Sequence, residues 1–198
     1  MTQSKQDVLK FWFQETDSKN LKLAMKRWFE PDAKFDNEIK SKFSDLIEDA
    51  LNGKTDDWSA TIDGSLASVI VYDQFTRNIH RGSAASYTGD RRALAISKNI
   101  ISLGHDKNLP LLQRLFLYLP FMHSEDKATQ KQSVELYTEL AKDAPSSVKK
   151  YFNDSLDFAK NHKEIIDKFG RFPHRNKDLD RESTKEELDF IKKKGRGF

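Results

Sequence analysis

Leu66-Ala67-Ser68-Val69-Ile70-Val71-Tyr72-Asp73-Gln74-Phe75-Thr76-Arg77 is the stretch from which the fold can be read. At about 100° per residue, Leu66, Val69, Ile70, Asp73 and Arg77 share one helical stripe, while Val71 and Phe75 lie opposite. A helix apolar on nearly every side must be covered by others, so this one is expected at the centre of a helical protein, capped by Asp63 or Ser65. Asp73 and Arg77 continue the buried stripe as an acid followed four residues later by a base. That order favours a pair on one helix.

The segments on either side also read as helices. Upstream, Ser4 can cap the amide of Asp7 and open a helix carrying Val8, Leu9, Phe11, Trp12 and Phe13. A short apolar segment, Leu21 to Phe29, follows. Pro31-Asp32 then opens a helix with Phe35, Ile39, Phe43, Leu46 and Ala50 at spacings of three and four, closed by Asn52-Gly53. Downstream, the turn-rich link Asn78 to Ser83 leads to a helix from about Asp90 to Leu103 that stops at Gly104.

An apolar run from Leu109 to Met122 is interrupted by Pro110 and Pro120 and contains Arg114, so it is a core helix ending near Pro120. Ser124 is the expected cap of the next helix, with Glu125-Asp126 in its first turn, continuing through Gln130, Val134, Leu136, Tyr137 and Leu140 to Ala144. Pro145-Ser146-Ser147 starts the longest helix, where Val148, Phe152, Ala159, His162, Ile166 and Phe169 align. On that stripe His162 reads as a core residue. After Gly170 a loop runs from Arg171 to Arg181, and Ser183-Thr184-Lys185-Glu186 is a capping box for a last helix through Ile191.

No segment shows the alternation of a strand, so the expected fold is all-α, with about eight helices in one domain spanning 1–198. Antiparallel helical hairpins stacked side by side are the simplest packing for such a series. The basic tail from about 192 to 198 is expected to fray.

Composition narrows the function classes. A hydrophobic content of 37% with 14 Phe and 3 Trp supplies a core, and 33% charge suits a soluble helical chain. Net charge is +3, from 34 basic and 31 acidic residues, so bulk charge gives a nucleic-acid role no support. The basic runs His80-Arg81, Arg91-Arg92 and Lys192 to Arg196 are short and scattered. The absence of Cys excludes disulfides, thiol nucleophiles and thiolate metal sites. No His-x3-His or His-Glu-x2-His pairing is present, so neither a metal nor another cofactor is expected. Ser124 lacks the glycine-flanked elbow of a serine hydrolase. With no apolar core of signal-peptide length near Met1, and no run of roughly 18 apolar residues, a cytoplasmic protein is expected.

Several motifs together resemble a known family. They are Val8-Leu9-x-Phe11-Trp12-Phe13, Trp28-Phe29, Phe35-Asp36, Asp73-Gln74-Phe75-x-Arg77-Asn78, Tyr118-Leu119-Pro120-Phe121-Met122-His123-Ser124-Glu125-Asp126 and Phe169-Gly170-Arg171-Phe172-Pro173-His174-Arg175-Asn176. Their order and content resemble the bacterial domain of unknown function 924, over nearly the whole chain. The resemblance implies a tetratricopeptide-like right-handed stack of helices, and no activity. One position departs from the pattern: Leu179-Asp180-Arg181 stands where Leu-Gly-Arg is expected. Asp is among the better substitutes for Gly in a left-handed turn.

Three of these motifs place charged or His side chains just past an apolar stripe. They contribute Asp73, Arg77 and Asn78; His123, Glu125 and Asp126; and Arg171, His174, Arg175 and Asn176. If they converge, they form a polar cavity wall suited to a carboxylate or phosphate. Arg77, Arg171 and Arg175 would fork the anion, with Asp73, Asn78 and Asn176 completing the binding set. His123 or His174 would carry a proton near neutral pH, oriented by Glu125 or Asp73. The alternative for the Arg171–Asn176 loop is a structural clip, in which Arg171 and Arg175 satisfy exposed helix carbonyls and Asp73 or Glu125. A third reading is a scaffold whose helical groove holds a peptide or protein partner. The expected partners are thus a small anionic ligand or a peptide, and neither nucleic acid nor membrane.

Overall fold

The computed structural model describes residues 3–14, 16 and 20–194, with the side chain of Lys194 excepted. The tail residues 195–198 lie outside that range, so the expected fraying of 192–198 is not addressed there. Among the described residues there is no strand. The helices are α1 (Lys5–Phe13), α2 (Leu21–Phe29), α3 (Ala33–Leu51), α4 (Ile62–Val69), α5 (Thr76–Ile79), α6 (Asp90–Ser102), α7 (Leu111–Met122), α8 (Lys127–Asp143), α9 (Lys149–Phe169) and α10 (Lys185–Lys194), with short 3-10 turns between several of them. The fold is all-α, as expected. No helix among the described residues is long and apolar enough to cross a membrane.

The chain forms two compact units. The first comprises Met1–Arg81 and Ala85–Leu117, the second Gly82–Ala84 and Tyr118–Phe198. In the first unit the predicted apolar positions of α3 are all buried. Phe11, Trp12, Trp28, Phe35, Phe43, Phe75 and Phe116 form an aromatic core with ring centroids 4.7 to 6.2 Å apart. Edge-to-face pairs dominate it, the arrangement favoured by ring quadrupoles. Trp28 anchors its indole by donating to the Trp12 carbonyl at 3.1 Å.

The central helix forms, but its start and its pitch differ from expectation. Thr61, rather than Asp63 or Ser65, is its cap: its hydroxyl accepts from the Gly64 amide at 3.1 Å. A Cβ at Gly64 would lie 2.1 Å from the Trp58 carbonyl oxygen, so only glycine lets the chain enter the helix there. Between α4 and α5 the backbone is π-helical over Ile70–Phe75, with every residue of that segment buried. The Thr76 amide reaches back five residues to Val71 O. Side chains serve the neighbouring carbonyls: Thr76 Oγ1 donates to Tyr72 O and Arg77 Nη1 to Asp73 O, both at 2.7 Å. Gly89, at the head of α6, lies against this segment, since a Cβ on it would stand 2.1 Å from Tyr72 O.

In the second unit α8 and α9, joined by residues 144–148, pack along one another as consecutive helices with a short link do. The expected break at Pro120 does not occur. Pro120 sits in the last turn of α7, which runs on to Met122 and places the His123 amide on Leu119 O at 2.9 Å. Near a helix end a missing N–H removes only one backbone bond. The next helix therefore starts later than the sequence suggests. Asp126, rather than Ser124, is its cap, accepting from Thr129 N and Oγ1 at 2.7 Å each. Ser124 and Glu125 are left in the link, and that frees the Glu125 side chain for other contacts.

At the far end, Gly170 terminates α9 with φ 70°, as expected. The capping box of α10 falls one residue beyond the predicted one: Thr184 Oγ1 accepts from Glu187 N at 3.2 Å, and Glu187 Oε2 accepts from Thr184 N at 2.7 Å.

Candidate functional site

Apart from Asp126, which caps α8, the candidate residues divide between the units. Asp73, Arg77 and Asn78 belong to the first; His123, Glu125, Arg171, His174, Arg175 and Asn176 belong to the second.

In the first unit the π-helical segment points Asp73 inward, where it is fully buried. Its Oδ1 pairs with Arg77 Nη1 at 3.0 Å and its Oδ2 accepts from Gln74 Nε2 at 2.5 Å. The pair predicted from the spacing is therefore formed. Arg77 also meets Asp90 through both terminal nitrogens, at 2.9 and 3.0 Å, and stands 5.8 Å over the Tyr87 ring. Burial works to lower the Arg77 pKa, but Asp73 and Asp90 outweigh it and hold the group above its ordinary value. Asn78 donates to Asp36 Oδ1 at 2.7 Å, and Arg81 forks the same carboxylate at 3.2 Å through two nitrogens. Asp90 and Asp36 were not among the candidates; each is an acid at the beginning of a helix, which alone does not single it out.

The second unit brings its six candidates into one constellation, together with Arg181 and Glu187, which the candidate set did not include. Glu125 accepts from the Phe172 amide at 2.7 Å and from both terminal nitrogens of Arg181, at 2.8 and 3.0 Å. Arg181 donates further to Phe172 O at 3.2 Å and to Asn176 Oδ1 at 3.0 Å. The turn that aims it is the left-handed one anticipated at Asp180, which has φ 52°. Arg171 forks Glu187 at 2.7 and 2.9 Å and donates to Glu182 O at 2.8 Å. Asn176 donates to Ser183 Oγ and Glu187 Oε2 at 3.1 and 3.3 Å. Arg171, Asn176 and Glu125 thus have the contacts of a clip, through partners other than the Asp73 considered from sequence. Neither Arg181 nor Glu187 is marked by periodicity; the one signal was that Arg181 follows the departing Asp180.

Around Phe172, which is fully buried, the loop gathers imidazoles. The His162 ring lies 5.3 Å from Phe172, the His174 ring 5.6 Å from Phe172, and the His123 ring 6.5 Å from His162. Three of the five histidines of the chain meet here. Arg175 stacks its guanidinium 4.6 Å over Phe172 and donates through Nη2 to His123 O at 2.9 Å. His162 bonds through Nδ1 to Phe158 O at 2.8 Å, and since a carbonyl can only accept, Nδ1 carries the proton. His162 occupies the core position expected of it, and its neighbours make it part of the cluster as well.

The electrostatics follow from this crowding. Burial, then Arg175, His162 and His123, push the His174 imidazole down to about 3, with Glu125 acting the other way. Burial raises the Glu125 pKa, but the bonds from Arg181 and the Phe172 amide and the charge of Arg175 outweigh it, and the carboxyl ends below its ordinary value. Hydrogen bonds from Arg171 foremost hold Glu187 at about 2. The cluster therefore offers three guanidinium groups, two carboxylates and three imidazoles, the last in their neutral form at His174. Among the described residues no group of three His, Asp or Glu is arranged to hold a metal ion.

The comparisons with known proteins follow the same motifs. No curated protein matches the chain. A solved structure of a protein of unknown function from Agrobacterium tumefaciens is 34% identical, with 96% of this chain and 97% of that one covered and a TM-score of 0.80. The model of the family described as "Bacterial protein of unknown function (DUF924)" matches residues 8–195. The chain belongs to the DUF924 family of bacterial proteins.

Proposed function

We propose that the second unit binds a small anionic ligand, a carboxylate or a phosphate, at the cluster around Phe172. The observation that carries this reading is the meeting of His123, His162 and His174 beside the Arg175 guanidinium. Among the groups bonded into the cluster, Arg171, Arg175 and Arg181 face Glu125 and Glu187, an excess of one positive charge. The neutral imidazole of His174 at its half-buried edge adds a donor that needs no counter-charge. An anion there would meet a fixed cation on a partly desolvated wall, where charge-assisted hydrogen bonds are strongest. His123 and His174 are the groups that would move a proton if the ligand reacts; Glu125 holds the loop through Arg181 and the Phe172 amide. Asp73, Arg77 and Asn78 form a separate candidate group within the first unit.

Titration with inorganic phosphate and with acetate, followed through the imidazole resonances, tests the proposal. Saturable shifts at His123 and His174 are expected. His174→Ala should abolish them while changing stability by no more than about 1 kcal/mol. Unchanged imidazole resonances up to high phosphate, or a loss of several kcal/mol in His174→Ala, would assign the residues to structure alone.

A further inference from the structure

We propose that residues 170–181 form an acid-released latch: protons taken up by the His123, His162 and His174 cluster detach this segment within the second unit while the first unit stays folded. The ion pair of Arg171 with Glu187 ties the segment to α10, which is itself held to α9 by Phe190 on Phe169 and by Lys168 on Glu186, so the segment stays tethered to α10 when it leaves α9. Its hold on α9 and on the α7–α8 link comes from elsewhere. It includes the Phe172 amide and Arg181 on Glu125, Arg175 on His123 O, and the Phe172 ring against His162, Ile165 and Ile166.

These direct attachments border an imidazole. His123 comes from the end of α7, His162 from α9 and His174 from the segment itself. The charged groups facing His174 are Arg175 from its own segment and Glu125 from the link, with Arg181 bonded to that same carboxylate. An imidazolium at any of the three positions therefore adds a positive charge beside Arg175, and Glu125 already answers Arg181 and the Phe172 amide. Release removes the conflict, because the detached segment returns its histidines and Arg175 to water. Gly170 stands where the segment leaves α9, with φ 70° and open space about its Cβ position, and can serve as the hinge.

The pH window follows from the sign of the linkage. In the closed state His174 is held far below its ordinary value, so the open state binds more protons from about pH 6.5 downward. The open population then rises about tenfold per pH unit for each proton taken up. Glu125, held below the ordinary carboxylate value, contributes in the same direction only below about pH 4.5. The interval between belongs to His174.

Amide hydrogen exchange on the full chain between about pH 7 and pH 5, corrected for intrinsic rates, provides the test. The Phe172 amide, bonded to Glu125 outside the segment, should lose protection about tenfold per unit. Emission from the three tryptophans, all in the first unit, should stay constant. Glu125→Gln should open the segment already at neutral pH, and His174→Asn should flatten the pH dependence. Should His174→Asn fail to fold, His123→Asn serves the same comparison. Protection that stays constant down to pH 5, that falls only in step with tryptophan emission, or that keeps its full pH dependence in the folded Asn variant would overturn the latch.

Discussion

Asp180 is the one non-glycine residue with positive φ among those described. At φ 52° its Cβ crowds the following carbonyl, which costs about 1–2 kcal/mol for an L-residue, less for Asp than for branched side chains. The turn is nonetheless kept, because it delivers Arg181: the Arg181 amide donates to Asn176 O at 2.8 Å and its guanidinium reaches Glu125. Asp180→Gly is thus expected to stabilise the protein, by about 1 kcal/mol after allowance for the greater freedom of glycine in the unfolded chain. The urea midpoint should rise with an unchanged slope. A lower midpoint would mean that the Asp side chain holds the turn by contacts of its own. The departure from the family pattern was legible in the sequence; the residue that depends on it was not, since Arg181 and Glu125 are 56 positions apart.

Elements were legible where their ends are set locally. Ser4 caps α1 and Asp7 answers it in the reciprocal arrangement, Asp32 caps α3, and Gly104 and Gly170 stop their helices in left-handed conformation. The ends read wrongly are those that tertiary contacts override. Around Pro120 and Ser124, the buried Gln130 donates Nε2 to Met122 O at 2.6 Å and to Ser124 O at 2.7 Å. It satisfies carbonyls that the end of α7 leaves open, so the helix can run past Pro120 and the next can wait for Asp126. Gln130→Leu keeps much of the volume and strands these carbonyls. It should cost about 1–3 kcal/mol, read as a lower thermal midpoint, and it should weaken the protection of the Phe172 amide, because Glu125 sits in the same link. The π-helical turn at Ile70–Phe75 is likewise invisible to periodicity, since it rests on Thr76 and Arg77 side chains taking up carbonyls and on Gly89 giving way to Tyr72 O.

At the scale of the molecule, the buried titratable groups predict how stability depends on pH. A histidine whose folded value is pushed down to about 3 carries no penalty above its unfolded value near 6.5. As pH falls below that, the unfolded chain binds more protons and stability declines. The carboxylates act lower: Glu187, at about 2 when folded, contributes stability above about pH 4.5 that is lost as pH falls through its folded value. Urea titrations at pH 7, 5.5 and 4 should therefore show a fall already by pH 5.5, on the order of a kcal/mol or more, that is smaller in His174→Asn. Constant stability down to the carboxylate range would show that His174 is protonated in the folded state without cost.

By itself the sequence determined the helical class, most helix ends, the burial of the Asp73–Arg77 pair and the family, because each depends on residues within a few positions of one another or on motif order. Only the tertiary structure decided the partners: Asp90 for Arg77, Asp36 for Asn78, Arg181 for Glu125, Glu187 for Arg171 and the ring of imidazoles around Phe172. Charged side chains are long and pair with whichever opposite charge packing carries to within about 3 Å of them. That choice is made by how distant helices pack, and no periodicity within one helix records it.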